Sequence, residues 1–251
     1  MQKIESTFAK LDEDRARFGT PFRPAPGSPL AVDDRRWASS PLSQHAWTCF
    51  ASAWDHFDLA RLTIEQRRAF PTSIFSVLRG ALLASSQGLW LVVEEDPHVR
   101  QERGLIFAQE WYSKRIQWQV ELTPDLDVES AAVSGAQLKL LGDHLAAVKA
   151  LRTTKATLAA TKIIELAGKA TFTEVSQQRE IVREWRRLGG DAHGLGWPLL
   201  GQDRTWGATG DDGLTEAIVG ASLVSVANAY LGAWLIYRRG LKRLDELARA
   251  Q

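Results

Sequence analysis

Residues 71–93 read PTSIFSVLRGALLASSQGLWLVV, and their reading decides the fold. Apolar side chains fall on every side of a helical turn, so no face is left for water. Such a helix is either the centre of a helical protein or a bilayer span. Arg79 is the only charge between Pro71 and Glu94. A buried guanidinium needs a carboxylate or several carbonyls, because an unpaired buried charge is costly. Asp55 and Asp58, on the preceding predicted helix, are the first candidates, with Glu110 and Asp143 after them. The pairing would fix helix register. The functional alternative is a polar pocket inside the bundle, with Arg79 as a binding residue.

Residues 217–237, AIVGASLVSVANAYLGAWLIY, carry no charge and precede RRGLKR, a length sufficient to span a bilayer. The run is rich in Ala, Gly and Ser and contains Asn228, which favours a second core helix and no membrane partner. As a core helix it should pack on the Arg79 helix or on the aromatic seam Trp47, Phe50, Trp54 and Phe57. Gly220, Ala221, Ser225 and Gly232 would allow close approach, and the basic tail would project into solvent.

Working outward, periodicity predicts helices nearly throughout. Residues 2–18 read as an amphipathic helix, followed by an extended arm holding Pro21, Pro24, Pro26, Pro29 and Pro41, with Trp37 pinning it. Ser40-Pro41 starts the next helix, Thr63-x-x-Gln66 a short one, Asp96-Pro97 another, and Thr123-Pro124-Asp125 a long one to Arg152. In that long helix Val133, Leu140, Leu141, Val148 and Leu151 should face inward. A helix over 156–167 stops near Gly168. Thr171-x-x-Glu174 caps the next, which ends before Gly189-Gly190. A glycine-rich loop leads to the last helix, from about Leu214. No strand-like alternation stands out. The expectation is an all-α helical bundle of about seven helices with a Pro-rich N-terminal arm and one long Gly-rich loop. Residues 1–41 form the N-terminal helix and arm, and 42–251 a single helical domain.

Composition narrows the function. The formal net charge of +1 gives no general pull toward nucleic acid, so a nucleic-acid partner must meet a local patch. The single cysteine, Cys49, forms no internal disulfide, and the charged N-terminus has no apolar stretch of the secretory kind, so a cytoplasmic protein is expected. His45 and Cys49 lie one turn apart, with His56 roughly 10.5 Å further along the axis. That is too far to complete a metal site, and neither metal nor cofactor is expected. Residues 156–188 could be a helix-turn-helix, but the second helix is basic only toward its far end, whereas recognition helices read bases from their start. No DNA partner is expected.

The segment REWRRLGGDAHGLGW, 183–197, carries the strongest chemistry. Arg187 and His193 are separated by five residues, with Arg186 adjacent and Asp191 two before the histidine. An imidazole moves protons near neutral pH and a guanidinium steadies phosphate charge, which suits RNA cleavage. The structural alternative has Arg186 and Arg187 offsetting a helix dipole and His193 capping loop carbonyls.

Three stretches, SVLRGALLASSQGLWLV around Arg79, the 156–168 helix, and Arg187-Leu-Gly-Gly-Asp-Ala-His193, resemble the HEPN superfamily of all-helical domains. Those domains are often found in bacterial toxin and defence systems. The layout also looks like that of uncharacterised helical proteins of actinobacteria. HEPN ribonucleases place an Arg, four to six residues and a His where two protomers meet. The resemblance therefore implies Arg187 and His193 as a metal-independent catalytic pair, a homodimer, and RNA as partner. Arg79, Arg186, Asp191 and Trp197 would be binding residues. The chain departs from the family in having Leu188, not a polar residue, after the arginine, and two glycines that should break the helix. The alternative is a non-catalytic helical interaction or scaffold protein.

Overall fold

The structure, a computed structural model, describes residues 2–67, 70, 72–198, 204–213, 215–219 and 222–250. The chain is 78% helical, which makes it all-α. The described helices are α1 (Gln2–Glu5), α2 (Phe8–Phe18), α3 (Pro29–Asp34), α4 (Leu42–Glu65), α5 (Ser73–Val92), α6 (Pro97–Leu122), α7 (Val128–Leu151), α8 (Ala160–Thr171), α9 (Val175–Ala192) and α10 (Leu223–Ala248). Leaving aside the single turn of α1, nine helices stand where about seven were expected.

The differences have local causes. The proline-rich arm is not wholly extended: Ser28 accepts from the Ala31 N–H at 3.3 Å and Pro29 takes the first position of α3. At the start of α4, Ser40 hydrogen-bonds His45 Nε2 at 2.9 Å, while Asp34 accepts from the Ser43 N–H at 2.9 Å. No new helix opens at Thr63. Its hydroxyl donates back to the Ala60 carbonyl at 2.7 Å, a bond made inside a continuing helix. Asp96 and Pro97 start α6 as predicted. Thr123-Pro124-Asp125 is instead a short 3-10 turn, and Asp127 caps α7. The stretch read as one long loop contains a hairpin, β1 (Arg204–Thr209) antiparallel to β2 (Thr215–Val219), turned through Gly213 at φ +76°. Hence α10 begins at Leu223, and the run 217–237 divides between a strand and a helix. Gly220 and Ala221, assigned a packing role above, lie outside the described residues.

Two compact units are distinguishable. The first comprises Met1–Phe22, Trp47–Trp90 and Ala160–Arg243. Here half of the α4 seam meets α10: the Phe57 ring centroid lies 5.1 Å from Tyr230, 5.4 Å from Trp234 and 5.5 Å from Tyr237, whereas Trp47 and Trp54 turn to Phe18, at 4.7 and 6.1 Å. Glycines admit the fully buried Phe50 ring. A Cβ on Gly88 would sit 2.6 Å from Phe50, and one on Gly240 2.5 Å. The hydroxyl of Tyr237 donates to buried Asp14 at 3.0 Å, and Arg238 donates to the same carboxylate at 3.0 Å. The tail after Tyr237 does not simply project, since Leu241 within this unit is buried.

The second unit comprises Arg23–Ala46, Leu91–Ala159 and Leu244–Gln251. Leu105, Ala108, Tyr112 and Val148 form its core, with Trp37, Leu141 and Leu151 packed against them. Trp37 does pin the arm, through an indole N–H donated to the Tyr112 hydroxyl at 3.2 Å. Val133 and Leu140, expected inward, are 54% and 55% exposed. Arg100 donates to Asp33 at 2.7 Å and to the carbonyls of Glu94 and Glu95 at 2.8 and 2.7 Å.

Among the described residues, one helix, Ser73–Val92, is long and apolar enough to cross a membrane, and it is 67% buried within the protein.

Candidate functional site

Helix α9 organises the candidate site. The helix does not end at Gly189-Gly190, because both glycines serve packing. A Cβ on Gly189 would lie 2.8 Å from Arg79 Nη1, and one on Gly190 2.5 Å from Pro198 and 2.8 Å from the Trp197 ring. Close approach offsets the roughly 1 kcal/mol that each helical glycine costs against alanine. The stop comes later, as a Schellman motif. Gly194 adopts φ +66°, its N–H donates to the Asp191 carbonyl at 3.2 Å, and the Leu195 N–H donates to the Gly190 carbonyl at 2.9 Å. Arg187 and Asp191 are therefore helical, and His193 is the C-cap.

Arg187 is held on three sides. Its Nη2 donates to Glu184 Oε2 at 2.6 Å and its Nε to Oε1 at 3.3 Å. Its Nη1 stands 3.7 Å from Asp191 Oδ2, and its Cζ lies 4.4 Å from the Phe75 ring centroid. The Asp191 side chain is 0% exposed, and neither carboxylate oxygen has a hydrogen-bond partner. Burial pushes its pKa up, Glu184 adds to this, and Arg187 works against it. One cation thus faces two carboxylates, at i−3 and i+4, so the guanidinium is already compensated. His193 lies six residues on, about 120° around the axis and roughly 9 Å along it. It is exposed at the helix end.

Arg79 stands on α5, one turn from Phe75. The partner expected for it is missing: Asp58 instead binds Arg15 at 2.8 Å. Arg79 is half-buried, lies over the Trp185 ring at 4.2 Å, and leaves Nη1 buried without a hydrogen-bond partner. Among the described residues it makes no ion pair. Its guanidinium packs instead against Gly189, where a side chain would leave it no room.

The remaining candidates face elsewhere. Arg186 is exposed and lines a groove of about 480 Å³ between α8 and α9, together with Lys169, Arg179, Arg183 and Glu165. Glu165 pairs with Lys162 at 3.3 Å and Arg183 with Glu180 at 3.2 Å. Trp197 is 49% exposed with one ring edge against Gly190. His45 is buried, and burial lowers its pKa to about 4. The Cys49 thiol is pushed up to about 12 by burial. Among the described residues no group of three or more His, Cys, Asp or Glu is placed to hold a metal ion.

Sequence reasoning missed Glu184, although Glu184-x-x-Arg187 and Arg187-x-x-x-Asp191 are the spacings at which helical side chains meet. It also missed the stripe Arg179, Arg183, Arg186, which follows the same rule.

Compared with known proteins, this all-α chain matches no family model, no curated protein and no solved structure.

Proposed function

We propose that this protein is a helical RNA-binding module that grips the phosphate backbone in the α8–α9 groove and does not cleave it. The observation that carries the reading is the charge of that groove: Lys169, Arg179, Arg183 and Arg186 against one carboxylate, Glu165. Arg179, Arg183 and Arg186 follow one another along a single exposed face of α9, and a row of exposed cations tracks a phosphate chain. This local patch exists despite a net charge of only +1. Cleavage has weaker support, because Arg187 is already engaged by Glu184 and Asp191 and offers little uncompensated charge to a transition state.

Fluorescence anisotropy with labelled RNA over a salt series tests the binding. Affinity should fall steeply with salt, and Arg179→Glu with Arg183→Glu should flatten that slope. A nuclease assay on mixed RNA, wild type beside His193→Ala, should show intact RNA in both. Salt-independent or absent binding overturns the reading, and cleavage lost in His193→Ala restores the ribonuclease.

A further inference from the structure

In the second unit, α6 presents a half-exposed aromatic and basic stripe outside the core. Trp111 and Trp118 are 46% and 50% exposed and stand seven residues apart, two turns along one helix face. Lys114 and Arg115 lie between them at the spacings that share that face. Together with Phe107 and Leu158 they line a groove of about 390 Å³, in which Glu110 is the sole carboxylate. Half-exposed indoles in a chain that buries Phe50, Phe57, Tyr230 and Tyr237 completely are not left over from core packing.

We infer that this stripe is a base-stacking platform for single-stranded RNA, an inference that rests on the RNA-binding reading above and names its substrate class. Three features select that occupant. The indoles offer flat faces to bases, and stacking tolerates any sequence because every base has a π-face. Lys114 and Arg115 supply the charge that a neighbouring phosphate needs, two cations against one carboxylate in the groove. Arg115 already lies 4.3 Å from the Trp118 ring centroid, so one guanidinium braces the ring that a base would cover from its other side. Bases inside a duplex are not available for stacking, so the platform takes unpaired strands only.

The test measures a short mixed-sequence RNA, single-stranded and as its duplex, against the full chain and three variants. Trp118→Ala should weaken single-strand binding roughly tenfold with the salt slope unchanged, since a stacking contact releases no counterions. Trp118→Phe, which keeps a ring, should restore most of the affinity, and duplex binding should be indifferent to both. Arg179→Glu with Arg183→Glu should instead flatten the salt slope for both RNAs. If the wild type binds duplex and single strand alike and the Trp118 variants are silent, the platform is overturned while the groove stands. Should Trp118→Ala change the oligomeric state and leave RNA affinity intact, the stripe is a protein contact and the inference is overturned. Absence of binding to either RNA overturns both readings together.

Discussion

In the unit built on α6, Arg100 reaches Asp33 and two backbone carbonyls, with the paired side chains 3% and 0% exposed. In the unit holding α5 and α9, Arg79 leaves Nη1 buried without a partner and Asp191 buries two unbonded carboxylate oxygens. The first centre meets the requirement for burying charge, with an opposite charge plus neutral acceptors around it. The second relies on aromatic rings, Trp185 under Arg79 and Phe75 under Arg187, and on the Arg187 ion pairs to Glu184 at 2.6 Å and to Asp191 at 3.7 Å. Mutations at these two centres should therefore differ in size and even in sign.

The largest effect belongs to Arg100→Met, which strands Asp33 and two carbonyls. Denaturant unfolding should show a loss of about 3–5 kcal/mol. Replacing Asp33 with Leu in the same chain should recover much of it, because the buried charge then disappears altogether. A single-variant loss under about 1 kcal/mol would mean that the pair is not the anchor of its unit.

Next in size is a pH effect in the same unit. His45 is buried against Phe107 with its Nε2 on Ser40, and its folded pKa of about 4 lies below the ordinary 6.5. Between those values the unfolded chain binds more protons than the folded one, so stability falls as pH falls through that window. The loss approaches about 3 kcal/mol near pH 4 and is absent above pH 6.5. His45→Gln should flatten that part of the stability profile, and an unchanged profile would place the acid sensitivity elsewhere.

Asp191→Asn should act in the opposite direction. Its folded pKa is raised, first by burial and then by Glu184, so the folded chain prefers the protonated acid. Ionisation weakens the fold as pH rises from 3.8 through the folded value. The amide escapes that penalty, and Arg187 keeps Glu184. A gain below about 1 kcal/mol at neutral pH, vanishing in acid, is expected because Arg187 offsets part of the burial penalty. A loss instead would show that Arg187 needs both carboxylates.

The same contrast explains how much was legible in the sequence. One signalled helix start read well, Asp96-Pro97, where Asp96 accepts from the His98 N–H two residues on and Pro97 needs no donor, whereas Thr63 opens no helix and Thr123-Pro124-Asp125 only a 3-10 turn. That the helix Ser73–Val92 is mostly buried was legible from composition, and the seam on α4 from its spacing. The Arg79 partner was not, because the answer lay in Gly189, more than a hundred positions away, whose missing side chain makes room for the guanidinium. The same glycines misled the reading of α9, since Gly189 and Gly190 look like a helix stop until the packing is seen, and the true stop is Gly194. Arg100 passed unnoticed because its partner Asp33 sits in what reads as a proline-rich arm. The hairpin was hidden by glycines that favoured loop over turn, although strand-like residues flank a Gly-containing connection.

The smallest expected effect, Arg79→Met, tests that account most directly. From the sequence alone a loss of about 3–5 kcal/mol would follow, because a buried carboxylate would be stranded. Among the described residues no such carboxylate pairs with Arg79. What the substitution removes is a cation–π contact with Trp185, worth about 0.5–1 kcal/mol where the cation keeps contact with water. It also removes the penalty of one buried, unbonded Nη1, and the thioether can keep its own contact with the indole. The two terms nearly cancel, so unfolding midpoints of Arg79→Met and wild type should agree to within about 0.5 kcal/mol. A loss of 3 kcal/mol or more would give Arg79 an ionic partner after all, and the contrast between the two centres would close. A near-zero result beside a large one for Arg100→Met would show that solvation of the guanidinium, rather than its position in an apolar helix, decides what an arginine is worth to this fold.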